Sequence, residues 1–193
     1  MFKKFVGLVF IAICLVASGC ASFKANNIPE VSDSEFKMVT NEKVKVFTRW
    51  KFETTSSIIN KDAAAAIHKS AFEKVVNQSG CCDLVEGPTE ANLIIDGTVV
   101  DHSSSAALIP AFITGLSLYT IPSWVTQTLD VTVKAEAGEL QKNYQLNDSF
   151  TLVQWLPMLF AFPFTGGPVQ NGEDLNENTY KHLIVQLKND NML

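Results

Sequence analysis

Asp101-His102-Ser103-Ser104-Ser105 brings together an acid, an imidazole and hydroxyls, the residue types of a nucleophilic relay. Such relays are assembled from distant parts of a chain, because neighbours in sequence cannot point at one another in the required geometry. The run reads instead as a strand end followed by capping serines. His68 falls beside the apolar stripe of a helical segment, next to Phe72, and reads as a boundary residue rather than a base. His182, beside Lys181 in the last helical segment, reads as solvated. Cys81 and Cys82 are adjacent, and successive strand residues point to opposite faces. The expectation is one buried thiol and one at an edge, with a vicinal disulfide as the alternative in an oxidising compartment. This pair lacks the further His or Cys ligands that a metal site needs. No G-x-S-x-G, Walker A or H-E-x-x-H pattern occurs, and Gly166-Gly167-Pro168 is a turn too short to cradle a phosphate. These residues predict a protein that binds rather than catalyses, with no cofactor and no metal.

Cys20 is a different case. Lys3 and Lys4 give a positive start, Phe5 to Val16 give an apolar stretch too short to span a bilayer, and Ala17-Ser18-Gly19 precede the cysteine. This layout resembles a bacterial lipobox signal. The resemblance implies that the Cys20 thiol receives a diacylglycerol, that the Gly19–Cys20 bond is cut, and that the new amino terminus is acylated. Cys14 would leave with the leader. In that family an Asp after the cysteine favours the inner membrane; Ala21 stands there, which points to the periplasmic face of the outer membrane.

The formal net charge is −5, and the leader carries two lysines and no acid, so the mature chain is more acidic still. No Lys/Arg cluster offers a handle to nucleic acid or to anionic head groups. The expected organisation is a signal peptide over 1–19, a lipidated tether over 20–41 and one domain over 42–193. The tether reading rests on Asn26-Asn27, Pro29 and Ser32-Asp33-Ser34.

The elements that follow are strand and helix in mixed order. Val44 to Phe47 is a short strand ending near Trp50. Asn60 or Asp62 caps a helix over about Ala63–Gln78, with Ala64, Ile67, Ala71 and Val75 on one face, widened by Phe72 and Val76; Gly80 ends it. A strand lies around Cys82–Val85, and Ala91–Val100 is a strand whose apolar run predicts burial on both faces. Leu129, Val131, Val133 and Ala135 alternate with polar residues as a one-sided strand. Gly138-Glu139 turns the chain, and Leu140, Tyr144, Leu146 and Phe150 point inward on the return. Tyr180, Leu183, Ile184 and Leu187 mark a final helix. The predicted fold is α+β: a mostly antiparallel sheet of about five strands, two helices on one face, and two apolar insertions.

The run Glu90-Ala91-Asn92-Leu93-Ile94-Ile95-Asp96-Gly97-Thr98-Val99, after a helix closed by Gly80, resembles the helix–strand–A-D-x-x-x-x-G-x-V segment of several envelope proteins. These include the amino-terminal domain of TolB, the peptidoglycan-synthase activator lipoproteins and the curli-secretion lipoprotein. Asn92 stands where those families often carry Asp. The similarity covers residues 44 to 101 and implies a fold; no functional residue carries over. The chain order is also compatible with the lipopolysaccharide-assembly lipoprotein.

Neither insertion carries Asp, Glu, Lys or Arg: one lies between Asp101 and Asp130, the other between Asp148 and Glu173. Prolines interrupt both, which disfavours spanning helices and spanning hairpins alike. They remain as extra core, or as an apolar contact made by Leu108, Phe112, Tyr119, Trp124, Trp155, Leu156, Phe160, Phe162 and Phe164. The sharper expectation is a lipid-anchored envelope protein that docks on an envelope partner or a membrane surface through these residues. A subunit of an oligomeric secretion pore and a periplasmic lipid carrier are the alternatives.

Overall fold

The computed structural model describes residues 20–40, 42–102, 108–165 and 167–193. The leader over 1–19 and Ser103–Ser105 lie outside them. The described elements are β1 (Cys20–Lys24), α1 (Asp33–Phe36), β2 (Val44–Thr54), α2 (Lys61–Ser79), β3 (Cys82–Leu84), β4 (Leu93–Asp101), α3 (Leu108–Leu116), β5 (Ser123–Ala137), β6 (Leu140–Gln154), α4 (Met158–Thr165) and α5 (Pro168–Asn189).

The sheet has six strands in the order β1-β6-β5-β4-β2-β3. The α+β class agrees with expectation, but the sheet is mixed rather than mostly antiparallel. β2 runs parallel to both β3 and β4, while β4, β5, β6 and β1 form an antiparallel series. Parallel pairing follows from α2, which carries the chain back along the sheet before β3 begins. The two long helices, α2 and α5, pack against one face of the sheet and against each other.

The sixth strand comes from the segment expected to be a tether. β1 pairs with β6 from Cys20↔Gln154 to Lys24↔Phe150, and Ala21 and Ser22 are buried. The chain then runs along α5. The Asn178 side chain accepts from Val31 N–H at 3.0 Å and donates to the Ile28 carbonyl at 3.3 Å. Met38 N–H donates to the Ser79 carbonyl at 2.8 Å, and Ile28 and Phe36 join the core. Residues 20–40 therefore belong to the folded domain. Their polar composition hides this because asparagine side chains and backbone bonds, rather than an apolar stripe, hold them in place.

Asn60 caps α2, its side chain accepting from Ala63 N–H at 3.0 Å, and Gly80 closes it at φ +73°. The buried face is His68, Phe72, Val75, Val76 and Ser79, while Ile67 is exposed. Phe72, Val75 and Val76 are buried as expected; His68 takes the place expected of Ile67, because a hydrophobicity reading credits Ile67 and discounts a histidine that has found a partner.

On β4, Leu93, Ile95 and Val99 are buried and alternate with half-buried residues, so its two faces differ. Gly97 lies opposite Trp50 without a bulge, and a Cβ there would come within 2.5 Å of the indole. Leu129, Val131, Val133 and Ala135 of β5 point inward as expected. Tyr144 and Leu146 are buried and Phe150 is half-buried, but Leu140 is exposed where the hairpin turns at Gly138 (φ +60°). Tyr180, Leu183, Ile184 and Leu187 of α5 complete the core.

Candidate docking surface

Ser103–Ser105 lie outside the described residues, and the other residues that suggested chemistry have structural partners. Asp101 is buried and accepts from Thr54 Oγ1 at 3.2 Å, while the exposed His102 Nε2 lies 2.5 Å from Asp130 Oδ2. His68 is a core residue: its ring stacks on Phe52 at 5.7 Å and its Nδ1 lies 2.8 Å from the Tyr180 hydroxyl. Burial lowers its pKa to about 4, so the imidazole is neutral. Burial likewise pushes the Tyr180 hydroxyl up. His182 is half-buried on α5.

Cys81 and Cys82 are joined as a vicinal disulfide, with both residues buried. The expected division into one buried and one edge thiol is replaced by a small ring that closes the turn from α2 into β3. Ser79 Oγ donates to Cys81 Sγ at 3.0 Å.

A different convergence stands out at one end of the sheet. Cys20 pairs with Gln154, and Gln154 pairs with Ser123. Three strands about 4.8 Å apart place these residues in a row spanning about 10 Å. Ser123 is where the first insertion re-enters the sheet, and Gln154 is where the second leaves it. Ser123 Oγ donates to Gln154 Oε1 at 3.2 Å. The insertions also meet directly, Leu156 N–H donating to the Tyr119 carbonyl at 2.8 Å. The α4 helix packs on β1, and a buried asparagine ties the parts together. Asn171 Nδ2 reaches the Ser22 carbonyl at 3.0 Å, Ser22 Oγ at 2.6 Å and the Thr165 carbonyl at 2.7 Å.

The polarity of this end is inverted. On α3 the fully buried residue is Thr114, whose hydroxyl donates to the Pro110 carbonyl, while Ile109, Phe112, Ile113 and Leu116 are exposed. Phe160 and Phe164 of α4 are 79% and 88% exposed, and Trp124 at the root of β5 is 69% exposed. Among the described side chains, the large apolar residues of these helices face outward rather than adding to the core. Of the predicted contact residues, Phe112, Trp124, Trp155, Leu156, Phe160 and Phe164 are exposed at this end, and Tyr119 is half-buried at the junction. The side chains of Leu108 and Phe162 lie outside the described residues. Leu118 and Ile121 were missed by the sequence reading, although they belong to the same charge-free run.

Among the described residues no helix is long and apolar enough to cross a membrane. The nine residues of α3 and eight of α4 rise about 14 and 12 Å, against a hydrocarbon core of about 30 Å. The wide cleft beside β2, about 690 Å³, is lined by Trp50, Phe52 and Val100, but also by Lys51, Glu53, Lys61, Asp62 and Asp101. That lining is too charged for an acyl chain.

No family model matches the chain, and no curated protein matches it. Similar solved structures include a PelC dodecamer from Paraburkholderia phytofirmans, 10% identical over 86% of this chain and 98% of that chain, with a TM-score of 0.40. A Xanthomonas campestris protein of family DUF330 is 7% identical over 76% of this chain and 82% of that chain, with a TM-score of 0.35. Similarity at this level concerns the general arrangement of strands and helices and assigns neither family nor activity.

Proposed function

We propose that this chain is a lipid-anchored cell-envelope protein, held at the periplasmic face of the outer membrane through Cys20, which acts by binding rather than by catalysis. Its working surface is the apolar end built from the two insertions. The observation that carries this reading is the Cys20–Gln154–Ser123 row, which brings the cysteine after the lipobox-like segment alongside the roots of both insertions. A surface that buries threonine and exposes phenylalanine suits apolar surroundings rather than water. Acyl chains add about 0.8 kcal/mol per buried CH₂, and an anchored domain makes its second contact at high effective concentration.

The test is metabolic labelling with radioactive palmitate and membrane fractionation of the native protein beside Cys20→Ser. Label and membrane association should both disappear in the variant. Label retained in the variant, or an unlabelled native chain, would sink the anchor.

A further inference from the structure

We infer that the apolar end seats directly on a phospholipid bilayer, with no spacer between the lipid on Cys20 and the docking surface. The inference rests on the anchored-lipoprotein reading and adds the identity of the contact.

Three observations lead to it. Cys20 is itself paired in a hydrogen-bonded strand, so an acyl group on it emerges at the row it shares with Gln154 and Ser123. Acyl chains attached there enter a bilayer within about 10 Å of both insertion roots. A domain on a flexible tether could hold this end away from the membrane; one in which the lipidated residue is itself paired in the sheet cannot.

Secondly, the outward side chains Ile109, Phe112, Ile113 and Leu116 on one helix and Phe160 and Phe164 on the other include no hydrogen-bonding group. Protein interfaces carry roughly one hydrogen bond per 100–200 Å², so a protein partner would be expected to find donors and acceptors among these contacts. Hydrocarbon asks for none. With no Asp, Glu, Lys or Arg in either insertion, seating needs no anionic lipid.

Thirdly, Trp124 and Trp155 follow Ser123 and Gln154 in sequence, at the foot of the insertions. Indoles favour the boundary between head groups and acyl chains, the depth at which short apolar segments lie about 5–10 Å into the bilayer. The two short helices then rest in the interface without spanning.

The chain's third tryptophan supplies an internal control. Trp50 packs on Phe72 and Tyr180 at ring distances of 5.3 and 5.1 Å, inside the domain. The experiment uses the full lipidated protein, purified in detergent and reconstituted into phosphatidylethanolamine–phosphatidylcholine vesicles, with flotation followed by tryptophan quenching. The quencher is phosphatidylcholine brominated high on the acyl chain. The expected result is co-flotation with quenching of Trp124 and Trp155, and loss of that quenching in the Trp124→Phe/Trp155→Phe double variant, whose Trp50 emission stays unquenched. Co-flotation with both exposed tryptophans unquenched overturns the seating while leaving the anchor intact, and hands the apolar end to a protein partner. Failure to float overturns the anchor and the seating together.

Discussion

His68 and Gly97 are the residues whose environments most constrain what this protein tolerates. His68 is held neutral inside the domain, with a pKa of about 4 against 6.5 for an exposed imidazole. Between those values the unfolded chain binds a proton that the folded one does not, so stability is full above about pH 6.5 and declines as pH falls toward 4. The loss over the whole window is on the order of 3 kcal/mol. Urea unfolding across that range should show a slope that flattens in His68→Gln, whatever the absolute stability of the variant; an unchanged slope would contradict the assignment. Gly97 is required by its cross-strand neighbour. Gly97→Ala pushes a methyl group into the Trp50 ring and should cost about 1–3 kcal/mol, an overpacking penalty that Trp50→Phe relieves in part. Thermal unfolding of the two single variants and the double variant measures the coupling. Purely additive losses would mean that the ring and the glycine do not compete for the same space.

Elements differ in how clearly the chain announces them. α5 and the β5–β6 hairpin were legible because Tyr180, Leu183, Ile184 and Leu187 repeat at helical spacing and Leu129, Val131, Val133 and Ala135 alternate over a one-sided strand. The caps of α2 were legible for the same reason, since Asn60 and Gly80 act locally. β1 was not. Its partner, β6, lies more than a hundred residues away, and a five-residue strand with Ala21 and Ser22 as its buried residues has no periodic signature. Its retention depends on Asn171, whose amide joins β1, α4 and α5. Asn171→Ala removes three hydrogen bonds that tie α5 to β1 and α4 and should lower stability by about 1–3 kcal/mol. An unchanged denaturation midpoint would show that packing alone holds the edge strand. The two insertions were recognisable as charge-free, non-spanning runs suited to docking, but the bounds of their helices were not, since apolar runs interrupted by proline carry no usable helical period.

For the whole molecule, the decisive relation is between Cys20 and the insertions, and it could not be read from sequence because it depends on the position of an edge strand. That Cys20 pairs at the end of the sheet where both insertions are rooted is a fact of register. A flexible Gly/Ser linker of about 20 residues inserted between Cys20 and Ala21 would have a root-mean-square span of roughly 25 Å. The protein should still float with vesicles, but the quenching of Trp124 and Trp155 should weaken because the bilayer contact must then be held by the insertions alone. Equal quenching with and without the linker would show that those helices seat independently of the anchor, and that β1 contributes nothing to their placement.

The pairing of β1 with β6 also bears on how the domain is made. Cys20 leaves the ribosome long before Gln154, and the register that joins them closes a loop of most of the chain, the kind of distant contact that is slow to form. If the amino terminus is captured by lipid as proposed, the growing polypeptide is already moored when its first strand is still waiting for a neighbour. Maturation then ends where attachment began: the returning hairpin must arrive at the moored strand, and the outermost seam of the sheet is zipped at the bilayer surface itself.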